Sequence, residues 1–158
     1  MIVIRVATAD DREPLGRWGA ALMQQHHAAD ARRFILTERP EQGYGRFLVS
    51  QLDDADAVVL IAERAGEPVG YLYCTLEPLS WRDLRGPCGF VHDVFVAEAA
   101  RRQGAGRALM RGALAWFRAR GTTQVVLWSA AGNAGAQRMF ATLGFRPTMT
   151  EMTLDFEP

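Results

Sequence analysis

The chain has 158 residues, a length that suits one domain able to bury a core without disulfide or metal staples. Its 18 basic and 18 acidic residues cancel, so no global field favours nucleic acid or an acidic membrane, and any anion site has to be local. Two cysteines, Cys74 and Cys88, make no disulfide framework and have no metal-ligand spacing, so they are expected as reduced core residues and no metal is expected.

Met1 leads directly into "IVIRVA", a strand too short for a signal segment or a membrane span, so a soluble, cytoplasmic protein is expected. Thr8 offers a helix N-cap, with Asp10, Asp11 and Glu13 in the first turn, where the dipole favours acids. Leu15, Trp18, Leu22 and Met23 follow at helical spacing to about Ala28, and His26 and His27 close the helix as cations suited to its end. Pro40 and Glu41 open a second helix through Phe47, Leu48 and Leu52, weakened by Gly43 and Gly45. "AVVLIAERAGEPVGYLYCTLEP" is a hairpin turning at Ala65-Gly66-Glu67 and stopped by Pro78.

The loop "LSWRDLRGP" leads into a strand, "CGFVHDVFVA". Residues 104–120 then carry Ala105, Ala108, Leu109, Ala113, Trp116 and Phe117 on one helical face. "TQVVLWS" is a continuous apolar run, as in a strand covered on both faces, and Trp18, Trp116 and Trp128 are read as core packing. "NAGAQRMFATLGF" is a helix closed by Gly144 at C′, and "FRPTMTEMTLDF" alternates as a last strand. With no repeat or linker, residues 1–158 read as one mixed α/β domain of order β-α-α-β-β-β-α-β-α-β, with a parallel crossover in the second half.

At one strand-to-helix junction stands "RRQGAGR", Arg101 to Arg107. A helix N-terminus offers unpaired N–H groups and the positive end of the dipole, and Gly104 and Gly106 let backbone come close to a ligand. Arg101, Arg102 and Arg107 add donors suited to phosphate oxygens. A pyrophosphate site and a solvated arginine cluster on a plain turn both fit this composition. A P-loop does not, because no Gly-Lys-Ser/Thr follows, and the third glycine of a dinucleotide fingerprint is missing.

"FVHDVFVAEAARRQGAGRALM" resembles motif A of the GCN5-related N-acetyltransferase (GNAT) superfamily, whose loop Gln/Arg-x-x-Gly-x-Gly/Ala is met by Arg101, Arg102, Gln103, Gly104, Ala105 and Gly106. "NAGAQRMFATLGFRP" resembles motif B, and "VVLIAERAGEPVGYLY" resembles the central hairpin. The resemblance implies a GNAT-like fold: a mixed, mostly antiparallel sheet with flanking helices and a parallel β-α-β second half. It also implies acetyl-CoA as cosubstrate, with its pyrophosphate on the N–H groups of residues 102–107 and its pantetheine arm along Val94, Phe95 and Val96. The N–H of Phe95 or Val96 would polarise the thioester carbonyl, and Asn133 would reach the pantetheine region. Similar proteins are often dimers, so a homodimer is compatible with the resemblance, although the sequence locates no interface.

Transfer to an amine needs a base, because an alkyl amine with a pKa near ~10.4 is mostly protonated at neutral pH. His92 is the preferred base, sharing a strand face with Phe90 and Val94; a half-buried sheet histidine is the structural alternative. Asp93 is expected on the opposite face. Cys88 as a nucleophile is discounted, since about 13 Å of strand separates it from His92. Phe140 stands where many relatives carry a proton-donating tyrosine, which leaves the acid unassigned, with Ser129 and Tyr44 as substitutes. Tyr44, Trp81, Glu77 and Asp83 lie in segments that could line an acceptor pocket, where the two acids would attract a cationic amine. A small-molecule amine is the expected acceptor, such as a polyamine, an amino acid or an aminoglycoside-like compound. The alternatives are a protein or peptide amine, or a catalytically weak acyl-CoA sensor.

Overall fold

Alternating apolar runs and one tight turn build the centre of the molecule. The structure, a computed structural model, describes residues 1–156, so the last two residues of the expected domain span lie outside the described residues. Five strands, β1 (Ile2–Val6), β2 (Ala57–Arg64), β3 (Glu67–Glu77), β4 (Cys88–Val96) and β5 (Val125–Leu127), form one sheet in chain order. The first four are antiparallel and β5 joins β4 in parallel. Ala65 and Gly66, both at positive φ, close the β2–β3 hairpin in the left-handed region whose twist suits two-residue turns.

Two helices cover one face of the sheet, α1 (Arg12–Ala29) and α2 (Pro40–Ser50). Their core holds Leu15, Trp18, Leu48, Val59, Ile61, Tyr71, Tyr73 and Phe95. α3 (Ala105–Ala119) covers the other face with Leu109, Met110, Ala113 and Phe117, joined by Phe140 from α4 (Ala134–Thr142). Burying one such large apolar side chain is worth about 1.5–3 kcal/mol, so these two faces carry the fold. Gly89 is part of the fit, since a Cβ there would lie 2.5 Å from the Phe117 ring.

The glycines that weaken α2 in the sequence have a tertiary purpose. A Cβ on Gly45 would meet the Arg12 carbonyl at 2.8 Å, and one on Gly16 would meet the Glu41 carbonyl at 2.5 Å. The two helices therefore cross almost backbone to backbone. Gly144 ends α4 as expected, at φ +93°, with Phe145 N–H bonded to the Phe140 carbonyl.

Two expectations fail at the C-terminal end. The run 123–129 yields only three paired residues, all half-buried, because β5 meets β4 on one side and, among the described residues, no further strand on the other. Residues 145–156 form no strand. An alternating pattern needs a partner edge to become a ladder, and here Met149, Met152, Leu154 and Phe156 stay exposed. The segment is instead tied to the α1–α2 connection by ion pairs of Arg33 with Glu151 and of Arg32 with Asp155.

Candidate active site

The register of β4 against β3 slips by one residue at His92. Val91 pairs with Cys74 and Asp93 with Tyr73, which leaves His92 as the extra residue of a β-bulge. One consequence overturns the simple alternation. Val91, Val94 and Val96 pack on the α3 core, whereas His92, Asp93 and Phe95 all turn toward the α1–α2 face. His92 thus shares its face with Phe90 and not with Val94, and Asp93 lies on the same side as His92.

His92 is held between two rings, Tyr73 at 4.9 Å and Phe90 at 4.8 Å, both nearly parallel to it. Its Nε2 lies 2.8 Å from Thr75 Oγ1, which in turn donates to Glu77 Oε1 at 2.6 Å. Burial between the rings pushes the imidazole below its ordinary value near 6.5, against the upward pull of Glu77 and Asp93. His92 and Glu77 open into a cavity of about 250 Å³, lined also by Asp83, Arg85, Phe90, Val91 and Trp128.

Asp93 faces inward. It is 9% exposed and accepts from Tyr44 Oη at 2.9 Å and Tyr71 Oη at 3.0 Å. Burial holds its carboxyl above the usual aspartate range despite the two hydroxyls that favour the charged form. The same burial, with the Asp93 charge beside them, raises both tyrosines.

Beyond the bulge, the edge of β4 that would meet β5 is open, because β5 pairs only with Gly89–Val91. Ala97 N–H bonds to the Val69 carbonyl at 2.9 Å, which makes Val69 and Ala97 a hydrogen-bonded pair. Antiparallel pairs alternate, so Phe95 spends its N–H on Tyr71, while Val94 and Val96 direct theirs to the open edge. Arg101 Nε donates to the Val96 carbonyl on that edge at 3.0 Å, and its guanidinium lies over the Phe95 ring. The loop that follows turns through positive φ at Arg102 (61°) and Gly104 (89°), the latter the N-cap of α3. The first backbone bond into the helix is Ala108 N–H to the Gly104 carbonyl, so the N–H groups of Ala105, Gly106 and Arg107 have no partner within the helix. A Cβ on Gly106 would stand 3.3 Å from Met139 Sδ and 3.7 Å from Val96 Cγ2, so this helix start sits against the end of β4 and against α4.

Comparison with known proteins fits this geometry. The family model described as "Acetyltransferase (GNAT) family" matches residues 27–145. The chain belongs to the GNAT acetyltransferase family. It is 38% identical over 95 residues to a mycothiol acetyltransferase of Thermobispora bispora, covering 60% of this chain but only 30% of that protein. It is 28% identical over 99 residues to the aminoglycoside N(6')-acetyltransferase type 1 of Klebsiella aerogenes, covering 63% of this chain and 65% of that one. A solved GCN5-related N-acetyltransferase from Ralstonia eutropha JMP134 superposes with a TM-score of 0.73 at 26% identity, covering 99% of each chain. The chain thus spans about a third of the mycothiol acetyltransferase it matches.

Within this GNAT chain the structure brings together His92, Glu77 and Asp83 at one cavity, and Val94, Val96, Arg101 and residues 102–107 along one edge and loop. Other expected residues lie elsewhere. Phe95 has neither a free N–H nor an exposed ring. Asn133 caps α4, its Oδ1 accepting from Ala136 N–H at 3.1 Å. Phe140 is core, edge-on to Phe145. Tyr44 is spent on Asp93, and Trp81 is exposed outside the cavity. Trp128 is 71% exposed and walls the cavity edge-on to Phe90, so it is not core. Ser129 Oγ is buried without a hydrogen-bond partner among the described residues. His26 and His27 bond the Leu22 and Phe34 carbonyls, tying down the end of α1. Arg85 donates to Cys88 Sγ, and both cysteines are buried.

Sequence reasoning missed Thr75, Arg85, Phe90 and Trp128. The signal for Thr75 lies in "YLYCTLE", where Tyr71, Tyr73, Thr75 and Glu77 alternate as a polar-capable face of β3.

Proposed function

We propose that this chain transfers an acetyl group from acetyl-CoA to the primary amine of a small molecule. The observation that carries the reading is the open edge of β4, which runs from the α3 N-terminus past Val96 and Val94 to His92 and the cavity. The N–H groups of residues 102–107, with the Arg102 and Arg107 side chains, suit a pyrophosphate. Val96 offers N–H and C=O to an extended pantetheine arm, as an added strand would be held. The Arg101 side chain now on the Val96 carbonyl must first move aside, and it then becomes free to face phosphate.

The Val94 N–H, two residues from His92, is the donor placed for the oxyanion of the tetrahedral intermediate. It replaces Phe95 in that role, because the Phe95 N–H belongs to the sheet. His92 takes a proton from the acceptor ammonium, the neutral amine attacks the thioester carbon to give the tetrahedral intermediate, and its collapse breaks the C–S bond, the nitrogen's second proton passing to the departing thiolate. Phe140 supplies no proton, and a thiol of pKa ~8.5 leaves as thiolate and takes up a proton afterwards. Glu77 and Asp83 together outweigh Arg85, which pairs with Asp83, and with the Trp128 ring they favour a cationic acceptor at the cavity. Two similar proteins carry the names of small-molecule acetyltransferases, which supports the acceptor class. The buried free thiols suit a reducing compartment, which supports a cytoplasmic setting.

The test is a calorimetric titration with acetyl-CoA, with NADH and ATP as comparators, followed by free-thiol release with a panel of small amines. All 18 basic residues are arginine, so no lysine of the protein itself can consume the thioester. Selective acetyl-CoA binding is expected, abolished in Gly106→Trp, whose indole would fill the space between Val96 and Met139. Thiol release is expected only with an amine present. Binding of NADH or ATP in preference to acetyl-CoA would refute the reading.

A further inference from the structure

Thr75 has one hydroxyl proton and two neighbours competing for it. Its Oγ1 stands 2.6 Å from Glu77 Oε1, the length of a charge-assisted O–H···O⁻ bond, so the proton belongs to the glutamate contact. What Thr75 then turns toward His92 is a lone pair. The 2.8 Å contact between Thr75 Oγ1 and His92 Nε2 is therefore a bond donated by Nε2–H. A neutral imidazole has a single N–H, so Nδ1 carries no proton, and no hydrogen bond among the described residues uses it. The flanking Tyr73 and Phe90 rings resist a flip of the imidazole that would carry Nε2 away from Thr75.

We infer that Thr75 and Glu77 are positioning residues which fix His92 as the Nε2–H tautomer and leave Nδ1 as the atom that accepts the amine proton. The inference rests on the acetyltransferase reading for its catalytic meaning, though the tautomer itself does not. The proton moves from the acceptor nitrogen to Nδ1, giving an imidazolium whose Nε2–H remains on Thr75. The Glu77 carboxylate, 3.6 Å from Nε2, stabilises that cation. The other charged or titratable groups facing His92 are Tyr73 on β3, Asp93 beside it on β4, and Asp83 and Arg85 from the connection before β4.

The tautomer can be read without any substrate. Long-range ¹H–¹⁵N spectra of the ¹⁵N-labelled full chain at pH 8 distinguish a protonated from an unprotonated ring nitrogen. The signals of His92 are separated from those of His26 and His27 by their loss in His92→Gln. Protonated Nε2 with unprotonated Nδ1 is expected in the wild type, and the reverse pattern overturns the inference. In Thr75→Val a mixture of tautomers is expected, with kcat lowered about tenfold, a fraction of what a general base supplies. The KM for acetyl-CoA should stay unchanged, and Thr75→Ser should restore both readouts. Glu77→Gln removes the charge that favours the imidazolium, so the acidic limb of its pH–rate profile should move to lower pH. A Thr75→Val protein with wild-type tautomer and profile would refute the relay. A wild-type Nε2–H tautomer in a protein that releases no thiol with any amine would overturn the acetyltransferase reading and leave the tautomer standing.

Discussion

Tyr44→Phe removes one oxygen from the hydrogen-bond set of a buried carboxylate, and the structure allows its cost to be worked out. Asp93 Oδ2 accepts from Tyr44 and from Tyr71, and no other hydrogen bond reaches it among the described residues. Losing a hydrogen bond to a charged group costs about 1.5–3 kcal/mol, against about 0.5–1.5 kcal/mol for a neutral pair. The pH dependence follows from the raised carboxyl. Between its ordinary value of 3.8 and its higher folded value, the native state holds more protons than the unfolded chain, so stability falls as pH rises through that window. Tyr44→Phe takes away a donor that favours the carboxylate, so Asp93 is raised further and the window extends to higher pH. The variant should therefore be weaker by about 2 kcal/mol at pH 8, a fall in Tm of about 4–8 °C for a chain of this size. At lower pH, as the carboxyl gains its proton, the difference should shrink toward about 1 kcal/mol. Urea unfolding followed by tryptophan fluorescence reads both values, since Trp18 stacks on Tyr71 at 6.3 Å. A loss below about 0.5 kcal/mol at pH 8, or one that does not shrink at lower pH, would show that Asp93 does not depend on Tyr44 as a carboxylate.

Gly19→Ala tests the same network from the other side. A Cβ there would lie 2.1 Å from Tyr44 Cδ1, so the ring must leave its place and its bond to Asp93, and a loss of about 1–3 kcal/mol in urea unfolding is expected. The buried cysteines should be inert in the native protein: burial pushes the Cys74 thiol up to about 12 and also raises Cys88. Iodoacetamide at pH 8, with uptake counted by mass spectrometry, should label neither until urea unfolds the chain.

Much of the molecule was legible from local patterns. The hairpin from residue 57 to 77, the apolar face of α3 and the Schellman close at Gly144 each follow from spacing and one left-handed residue, because their partners lie close in the chain. The turn before α3 was legible for the same reason, since Gly104 serves a helix start that sequence alone predicts. Its neighbours were not. That Val94 and Val96, and not Phe95, offer free N–H groups depends on the hydrogen-bond phase between β3 and β4, and the bulge at His92 sets that phase. The bulge inserts one residue into a period of two, so it reverses the faces of Asp93 and Val94, and no residue type announces it. Trp128 and residues 145–156 carry core-like patterns but remain exposed, because hydrophobic alternation states what a segment could bury and only a neighbouring edge decides whether it does. The sequence by itself determined the elements from β1 to α4, their order and the glycine turn before α3, all products of short-range sterics and periodicity. Only the tertiary structure decided which strand edge stays open and which histidine nitrogen is free, since both depend on residues of β3 that meet β4 across the sheet.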